Sequence, residues 1–276
     1  EISACLVGSE MCIRDRIYRD HFQNYKSYAI PKAQLIIADI PYNLGNNAYA
    51  SNPAWYKDGD NKNGESNLAG KEFFDTDKDF RISEFLHFCS TMLRPEPKET
   101  GKAPCMIVFC AFEQQFELIE KAKKYGFMKY INLVFRKNFS AQVLKANMRP
   151  VGNCEYAIIL YRDKLPKFNN NGKMVFNCMD WIRDTITEKV HPTQKPIELI
   201  NELLAVSYFQ DDFVVDPFMG SGATVHACNA KSIRVLGIEL DNDYDTKLFG
   251  DHEAFDKILD NPENYQVKGE KGVMVR

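Results

Sequence analysis

The chain has 276 residues, 45% of them hydrophobic, which is enough for one full-sized domain with a substantial core. No apolar run approaches the roughly eighteen residues of a membrane span, and the N-terminal residues lack the basic start and apolar centre of a secretory signal, so a cytoplasmic protein with no membrane partner is expected. A net charge of −3 argues against a uniformly basic binder of nucleic acid, yet residues 121–195 carry fifteen Lys and Arg against five Asp and Glu, with 20 basic and 33 acidic residues elsewhere. One face could therefore hold a polyanion through phosphate contacts, a solvated charged surface being the alternative.

Residues 1–16 (EISACLVGSEMCIRDR) match neither the periodicity nor the composition of the remaining chain, and they resemble the peptide that translated sequencing-adapter DNA yields. They are set aside as a non-native segment, a frayed terminus being the other reading, and the domain is taken as 17–276. The eight cysteines form no C-x-x-C pair and no Cys/His spacing suited to tetrahedral zinc. Reduced, mostly buried thiols and no metal are expected.

Residues 34–39 (QLIIAD) form a short apolar run that ends in an acid and is followed by Pro41, the pattern of a buried parallel strand running into a functional loop. Residues 43–80 hold seven Asn and four Gly with little periodicity and read as a long loop or lid. The spacing then predicts a helix over 82–93, a strand over 106–111, a helix over 112–125, and strands over 130–135 and 154–161 around a basic, loop-like stretch at 136–153. Beyond Pro196 a helix is expected over 197–208, then a strand over 213–216, a helix over 222–231 and a strand over 235–239. Strands alternating with helices imply an α/β fold with a doubly wound, mainly parallel sheet.

Two constellations carry chemistry. Asp216, Phe218, Gly220, Ser221 and Gly222 lie between a predicted strand and helix, where the glycines permit a tight turn and close approach of a ligand to the backbone. Glu239 follows 17 residues beyond Gly222, a spacing that brings a carboxylate beside this turn to accept from two ribose hydroxyls. A dinucleotide fingerprint also begins Gly-x-Gly, but Val225 stands where its third glycine belongs, so a nucleoside cofactor without pyrophosphate fits better.

The other constellation is Asp39-Ile40-Pro41-Tyr42 at the carboxyl end of the first buried strand. The lone pair of an aromatic amine is delocalised into its ring. Acceptors aimed at both amino hydrogens, a carboxylate such as Asp39 and a backbone carbonyl such as that of Ile40, would localise it on nitrogen. Pro41 holds Ile40 extended, and Tyr42 offers a ring for a base taken out of a duplex. Taken singly, Asp39 could cap a turn, Pro41 could stop the strand and Tyr42 could pack.

Asp39-Ile40-Pro41-Tyr42 resembles the Asp-Pro-Pro-Tyr motif of amino-group DNA methyltransferases, and residues 216–224 resemble their Asp-Pro-Phe-x-Gly-Ser-Gly-Thr-Thr motif. Residues 191–196 (HPTQKP) match the segment that precedes it, and the catalytic-first order is that of the beta subgroup. Ile40 replaces the first Pro and Ala223 the first Thr, without loss of a required group. The resemblance implies a seven-stranded, Rossmann-like methyltransferase fold in permuted order. It also implies methyl transfer from S-adenosylmethionine to an exocyclic amino group of DNA.

An Asp at the first catalytic position points to adenine N6. Cytosine N4, an RNA methyltransferase and a catalytically inactive nucleic-acid-binding relative are the alternatives, while a glutamine methyltransferase is disfavoured by motif order. By motif match, Asp216, Phe218, Gly220, Ser221 and Gly222 would line the methionine end of the cofactor and Glu239 its ribose. His191, Thr193 and Lys195 would flank it, and Asp20, at the end of a strand at 17–20, would approach its adenine. A short target-recognition region is expected at 162–190, with 43–80 and 136–149 as further DNA contacts. The partners implied are double-stranded DNA with its target base flipped out and, as one option, a second copy in a homodimer. A bacterial or phage origin, with or without a restriction partner, fits the resemblance.

Overall fold

The computed structural model describes residues 15–42, 80–140, 150, 152–169, 172–182, 195–207, 212–240, 266–268 and 273–275. Its strands are β1 (Asp15–Arg19), β2 (Leu35–Asp39), β3 (Cys105–Cys110), β4 (Lys129–Lys137), β5 (Cys154–Tyr161), β6 (Cys178–Trp181), β7 (Phe213–Asp216), β8 (Arg234–Glu239), β9 (Gln266–Lys268) and β10 (Val273–Val275). The helices are α1 (Ile82–Met92), α2 (Gln114–Lys124), α3 (Ile197–Ser207) and α4 (Ala223–Ala230), with a 3₁₀ turn at Phe22–Ser27. None of these helices is long and apolar enough to cross a membrane.

All ten strands join one sheet in the order β6-β4-β5-β3-β2-β7-β8-β1-β10-β9. Its centre, β3-β2-β7-β8-β1, is parallel throughout, while β5 runs antiparallel to both β3 and β4. The expected seven strands are the contiguous run β4-β5-β3-β2-β7-β8-β1. Sequence reasoning missed β6, which lengthens one edge, and the β10-β9 pair, which lengthens the other. β1 begins at Asp15, so the backbones of Asp15 and Arg16, the last two residues of the segment set aside, lie in the sheet.

Side chains along β2 alternate between two cores, as the period-two geometry of a strand dictates. Leu35 and Ile37 pack with Leu199, Ile200 and Leu203 of α3 and Val225 of α4 on one face. Ile36 and Ala38 pack with Phe85, Leu86 and Phe88 of α1 and Leu118 of α2 on the other. Helices on both faces make the sheet doubly wound.

From β2 the chain moves outward to β3, and from β7 it moves the opposite way to β8 and α4. The seam between β2 and β7 is therefore the topological switch point, and its carboxyl edge is where ligands of open α/β sheets bind.

Candidate active site

Strand register brings the acids of both constellations to that edge. Leu35 and Ile36 pair with Val214 and Val215, Asp216 pairs with Gly237, and Glu239 pairs with Arg19. Asp39, Asp216, Glu239 and Asp20 thus follow one another across β2, β7, β8 and β1 at their carboxyl ends, neighbouring strands lying about 4.8 Å apart.

The glycine turn follows β7. Asp216 is buried, and its Oδ1 accepts from the Phe218 N–H at 3.0 Å. Burial raises its carboxyl to about 7, against hydrogen bonds from Thr224 and from that backbone N–H that favour the ionised form. Gly220 (φ +50°) and Gly222 (φ +76°, capping α4) occupy the left-handed region where side chains are strained, and a Cβ on Gly220 would project into open space. Glu239 Oε2 accepts from the Gly220 N–H at 2.7 Å, placing this carboxylate against the turn as its spacing indicated.

Phe218 packs edge-on against Phe22 and Phe80 and tilted against Phe85. Met219 donates its N–H to the Ile238 carbonyl at 2.9 Å, accepts from the Gly222 N–H at 2.8 Å, and lies on Gly237. Ser221 is partly buried in the same turn. Asp20 is joined to the site through its backbone, with its N–H on the Glu239 carbonyl at 2.8 Å. Its side chain is engaged locally, Oδ1 accepting from the His21 N–H and Asn24, and Oδ2 from the Tyr28 hydroxyl.

The Asp39-Ile40-Pro41-Tyr42 tetrapeptide leaves β2 at Asp39. The Ile40 N–H donates to the Phe109 carbonyl at 3.2 Å and the Ile40 side chain is buried, so the sheet fixes the backbone here. Gln114 at the start of α2 donates to the Pro41 carbonyl at 2.8 Å while accepting from the Ala111 N–H at 2.9 Å, which ties the tetrapeptide to the end of β3.

Lys195 occupies a place the sequence did not suggest. Expected along the flank of the cofactor, its ammonium lies 2.5 Å from Asp39 Oδ2. It also sits 5.3, 5.5 and 5.9 Å from the ring centroids of Phe109, Tyr42 and Trp181. Asp39 Oδ1, by contrast, is buried with no hydrogen-bond partner among the described residues. Burial pushes the Asp39 carboxyl above the ordinary aspartate range, although Lys195 opposes the rise.

Two further charged residues, both missed from sequence, complete the site. Glu155 of β5 accepts from the Tyr42 hydroxyl at 3.2 Å and pairs with the Lys137 ammonium of β4 at 2.9 Å. The sequence pattern puts Lys137 in a basic DNA-contacting loop, but β4 continues through it and its side chain is only 9% exposed. Its neighbour Arg136 is exposed and pairs with Asp180 of β6 at 2.7 Å. Period-two alternation carries the missed signal: Lys137 shares a strand face with Leu133 and Phe135, and Glu155 shares one with Ala157 and Ile159. Phe135 pairs with Glu155, so Lys137 is its diagonal neighbour, and opposite charges at such positions attract.

His191, Thr193, most of the 43–80 loop, the rest of the 136–149 stretch beyond Ser140 and residues 183–190 lie outside the described residues. The described part of 162–190 contains the edge strand β6, which pairs parallel with β4.

An open α/β sheet with a carboxylate and an aromatic ring at its switch point, beside a glycine turn closed by a second acid, has the architecture of nucleoside-cofactor group-transfer proteins. The family model described as DNA methylase matches residues 33–248, and the chain belongs to this N6/N4 family of DNA methyltransferases. The chain is 25% identical over 249 residues to the DNA adenine methyltransferase YhdJ of Escherichia coli (strain K12), covering 83% of this chain and 79% of that one. A shorter match, 33% over 90 residues, joins it to the type II methyltransferase M2.DpnII of Streptococcus pneumoniae, covering 30% of this chain and 32% of that one.

Among solved structures, the M1.HpyAVI-SAM complex superposes with a TM-score of 0.60 at 19% identity, over 88% of this chain and 99% of that one. The cytosine-N4-specific PvuII DNA methyltransferase superposes at 0.58 and 12% identity, over 88% and 90%. The likeness to these two is one of fold. Membership of the family carries methyl transfer to DNA, with S-adenosylmethionine as cofactor.

Proposed function

We propose that the protein methylates adenine N6 in double-stranded DNA, the target base being turned out of the duplex into the crevice above β2 and β7. The observation that carries this reading is the divided state of Asp39: one carboxylate oxygen is held by Lys195 and the other is buried without a partner among the described residues. A buried acceptor lacking a donor is costly, and an amino hydrogen from a base would satisfy it.

The residues at the turn fit the cofactor. S-adenosylmethionine supplies, when bound, an electrophilic methyl group on a sulfonium cation. The buried Asp216 carboxyl suits a cationic ligand, the space beside Gly220 admits one close to the backbone, and Glu239 stands ready for ribose hydroxyls. Phe218 and Ser221 complete the turn with Gly222, while His191 and Thr193 remain assigned to the flank of the cofactor and Asp20 to its adenine.

At the other side of the crevice, Asp39 Oδ1 accepts one amino hydrogen and the Ile40 carbonyl the second, which concentrates the lone pair on nitrogen as it attacks. As the amine takes up the methyl group that the bound cofactor would supply, the proton it sheds would pass to Asp39 Oδ1, the acceptor already holding that hydrogen, and on to solvent. Tyr42 stays a neutral phenol, because burial and the nearby Asp39 and Glu155 carboxylates push its hydroxyl well above the usual range. Its ring supplies the stacking face for the base.

The Asp at the first catalytic position and the adenine enzyme among the relatives support adenine. Cytosine N4 is the second reading, since the same two acceptors suit its amine and one fold neighbour is cytosine-specific. Incubation with S-adenosylmethionine and PCR-amplified, unmethylated bacterial DNA, followed by nucleoside mass spectrometry, tests the choice. N6-methyldeoxyadenosine is expected. N4-methyldeoxycytidine alone overturns the adenine assignment, and no methylated nucleoside overturns the function.

A further inference from the structure

We propose that Lys195 is a positioning residue for methyl transfer, clamping Asp39 Oδ2 so that Oδ1 faces the amine. The inference rests on the function proposed above, and assigns Lys195 to the catalytic carboxylate instead of the cofactor.

The geometry is specific. The Lys195 side chain is only 10% exposed and lies 156 residues from Asp39 in sequence, yet its ammonium meets Oδ2 at 2.5 Å. Phe109 from β3, Tyr42 from the catalytic loop and Trp181 from β6 surround the ammonium with ring faces, which stabilise a cation while excluding water. A buried ammonium held by one carboxylate oxygen and three rings has little freedom to leave, so it sets the orientation of the carboxylate it touches. The other oxygen is left without a partner among the described residues.

Charge points the same way. Among the described residues, Lys195 ahead of α3, Glu155 of β5 and Tyr42 of the adjoining loop bear on Asp39, and Asp39 in turn bears on Cys110 of β3 and Asp216 of β7. Burial, reinforced by Glu155, favours the neutral acid, whereas Lys195 is the largest influence favouring the carboxylate. Burial acts against the Lys195 ammonium as well, but Asp39 and Glu155 outweigh it and hold its pKa above the ordinary lysine value.

Glu155 does not take Lys195 for itself. Its carboxyl contends with burial, and both Lys195 and Lys137 bring it below the usual glutamate range. Lys137 is in direct contact with it at 2.9 Å, and both ammonium groups lie 5.9 Å from the Trp181 ring centroid. Lys195 therefore meets Asp39 and Lys137 meets Glu155, one lysine for each of the two carboxylates nearest Tyr42.

The test is the pH profile of methyl transfer from tritiated S-adenosylmethionine to PCR-amplified bacterial DNA, read for wild type, Lys195→Met, Lys195→Gln and Lys195→Arg. Removing an opposite charge at this range moves a carboxyl by about one to three pH units. Activity requires the ionised Asp39, so the acid limb of kcat should move upward by that amount in Lys195→Met and Lys195→Gln. It should stay in place in Lys195→Arg, which retains the charge.

Cofactor affinity, measured by calorimetry, should remain within about threefold of wild type in all three variants, a difference under 1 kcal/mol. An acid limb that stays put in the two neutral variants, or that moves in the arginine variant, overturns the proposal. So does a loss of cofactor binding without a shift in the limb. If Lys195→Met does not fold, the glutamine and arginine variants decide. Wild type without transfer would refute the underlying function instead, which keeps the two failures apart.

Discussion

Adding one methyl group at Gly237 tests whether the cofactor turn is shaped by the packing beneath it. A Cβ there would stand 2.6 Å from Met219 Sδ, 3.1 Å from Met219 Cγ and 3.2 Å from Val225 Cγ2. Carbon contacts are comfortable at about 3.5–4.0 Å, so Met219 must retreat by roughly 1 Å, and Val225 crowds the added carbon on a second side. Overpacking of this kind costs about 1–3 kcal/mol.

Met219 carries the turn on its backbone, through bonds to the Ile238 carbonyl and the Gly222 N–H, so its displacement reaches Gly220 and Gly222. If about 1 kcal/mol of the strain falls on the turn, affinity for S-adenosylmethionine drops about fivefold. Gly237→Ala should therefore lower Tm by about 2–4 °C for each kcal/mol and weaken the cofactor in calorimetry. Adding Met219→Ala should restore affinity even though it removes a buried side chain. Unchanged Tm and affinity in Gly237→Ala would refute the packing argument, and failure of the double variant to regain affinity would refute the link through Met219.

Other expectations rest on the same geometry. Glu239→Ala removes the acceptor of the Gly220 N–H and the carboxylate assigned to ribose, and should weaken S-adenosylmethionine by about tenfold or more; unchanged affinity removes the assignment. Tyr42→Phe keeps the ring and loses the hydroxyl that donates to Glu155 at 3.2 Å and favours the ionised Asp39, so transfer should fall by a few fold, whereas Tyr42→Ala loses base stacking worth about 1–3 kcal/mol. Equal rates for the two variants would dismiss stacking.

The Asp216 carboxyl, raised to about 7, gives a signed pH effect. Between about 4, its unfolded value, and 7 the native chain binds the extra proton, so its stabilising contribution is present at low pH and lost as pH rises through that window. Affinity for the cationic cofactor should instead increase as pH passes 7, and Asp216→Asn should flatten that rise in a calorimetric pH series.

Much of this architecture is legible in the residues because burial leaves a simple imprint. The strands at Cys154–Tyr161 and Phe213–Asp216 coincide with their apolar runs, and the acids that end the runs at Asp39, Asp216 and Glu239 fall on one edge because parallel strands end together. β6 was lost for the opposite reason: of Cys178–Trp181 only Trp181 is buried, so the strand has no apolar signature and reads as loop. β9 and β10 have three residues each, too few for periodicity to register.

Lys137 shows how a charge can hide a strand. Arg136 and Lys137 look like the start of a basic loop, and only the partner Glu155, brought in by antiparallel pairing, explains why one of them turns inward. The reach of Lys195 to Asp39 is likewise invisible to spacing, since it depends on which strand neighbours the start of α3. Motif resemblance assigns both Lys195 and Asp39 to the site, whereas their contact required the fold.

The role proposed for Asp39 lies on the amine of the target base and not on the cofactor. Asp39→Ala, measured in parallel for methyl transfer to PCR-amplified DNA and for calorimetric binding of S-adenosylmethionine, tests it most directly. Transfer should fall beyond detection while affinity stays within about threefold of wild type, a change under 1 kcal/mol. Retained transfer, or loss of transfer that merely tracks loss of cofactor binding, would contradict the account.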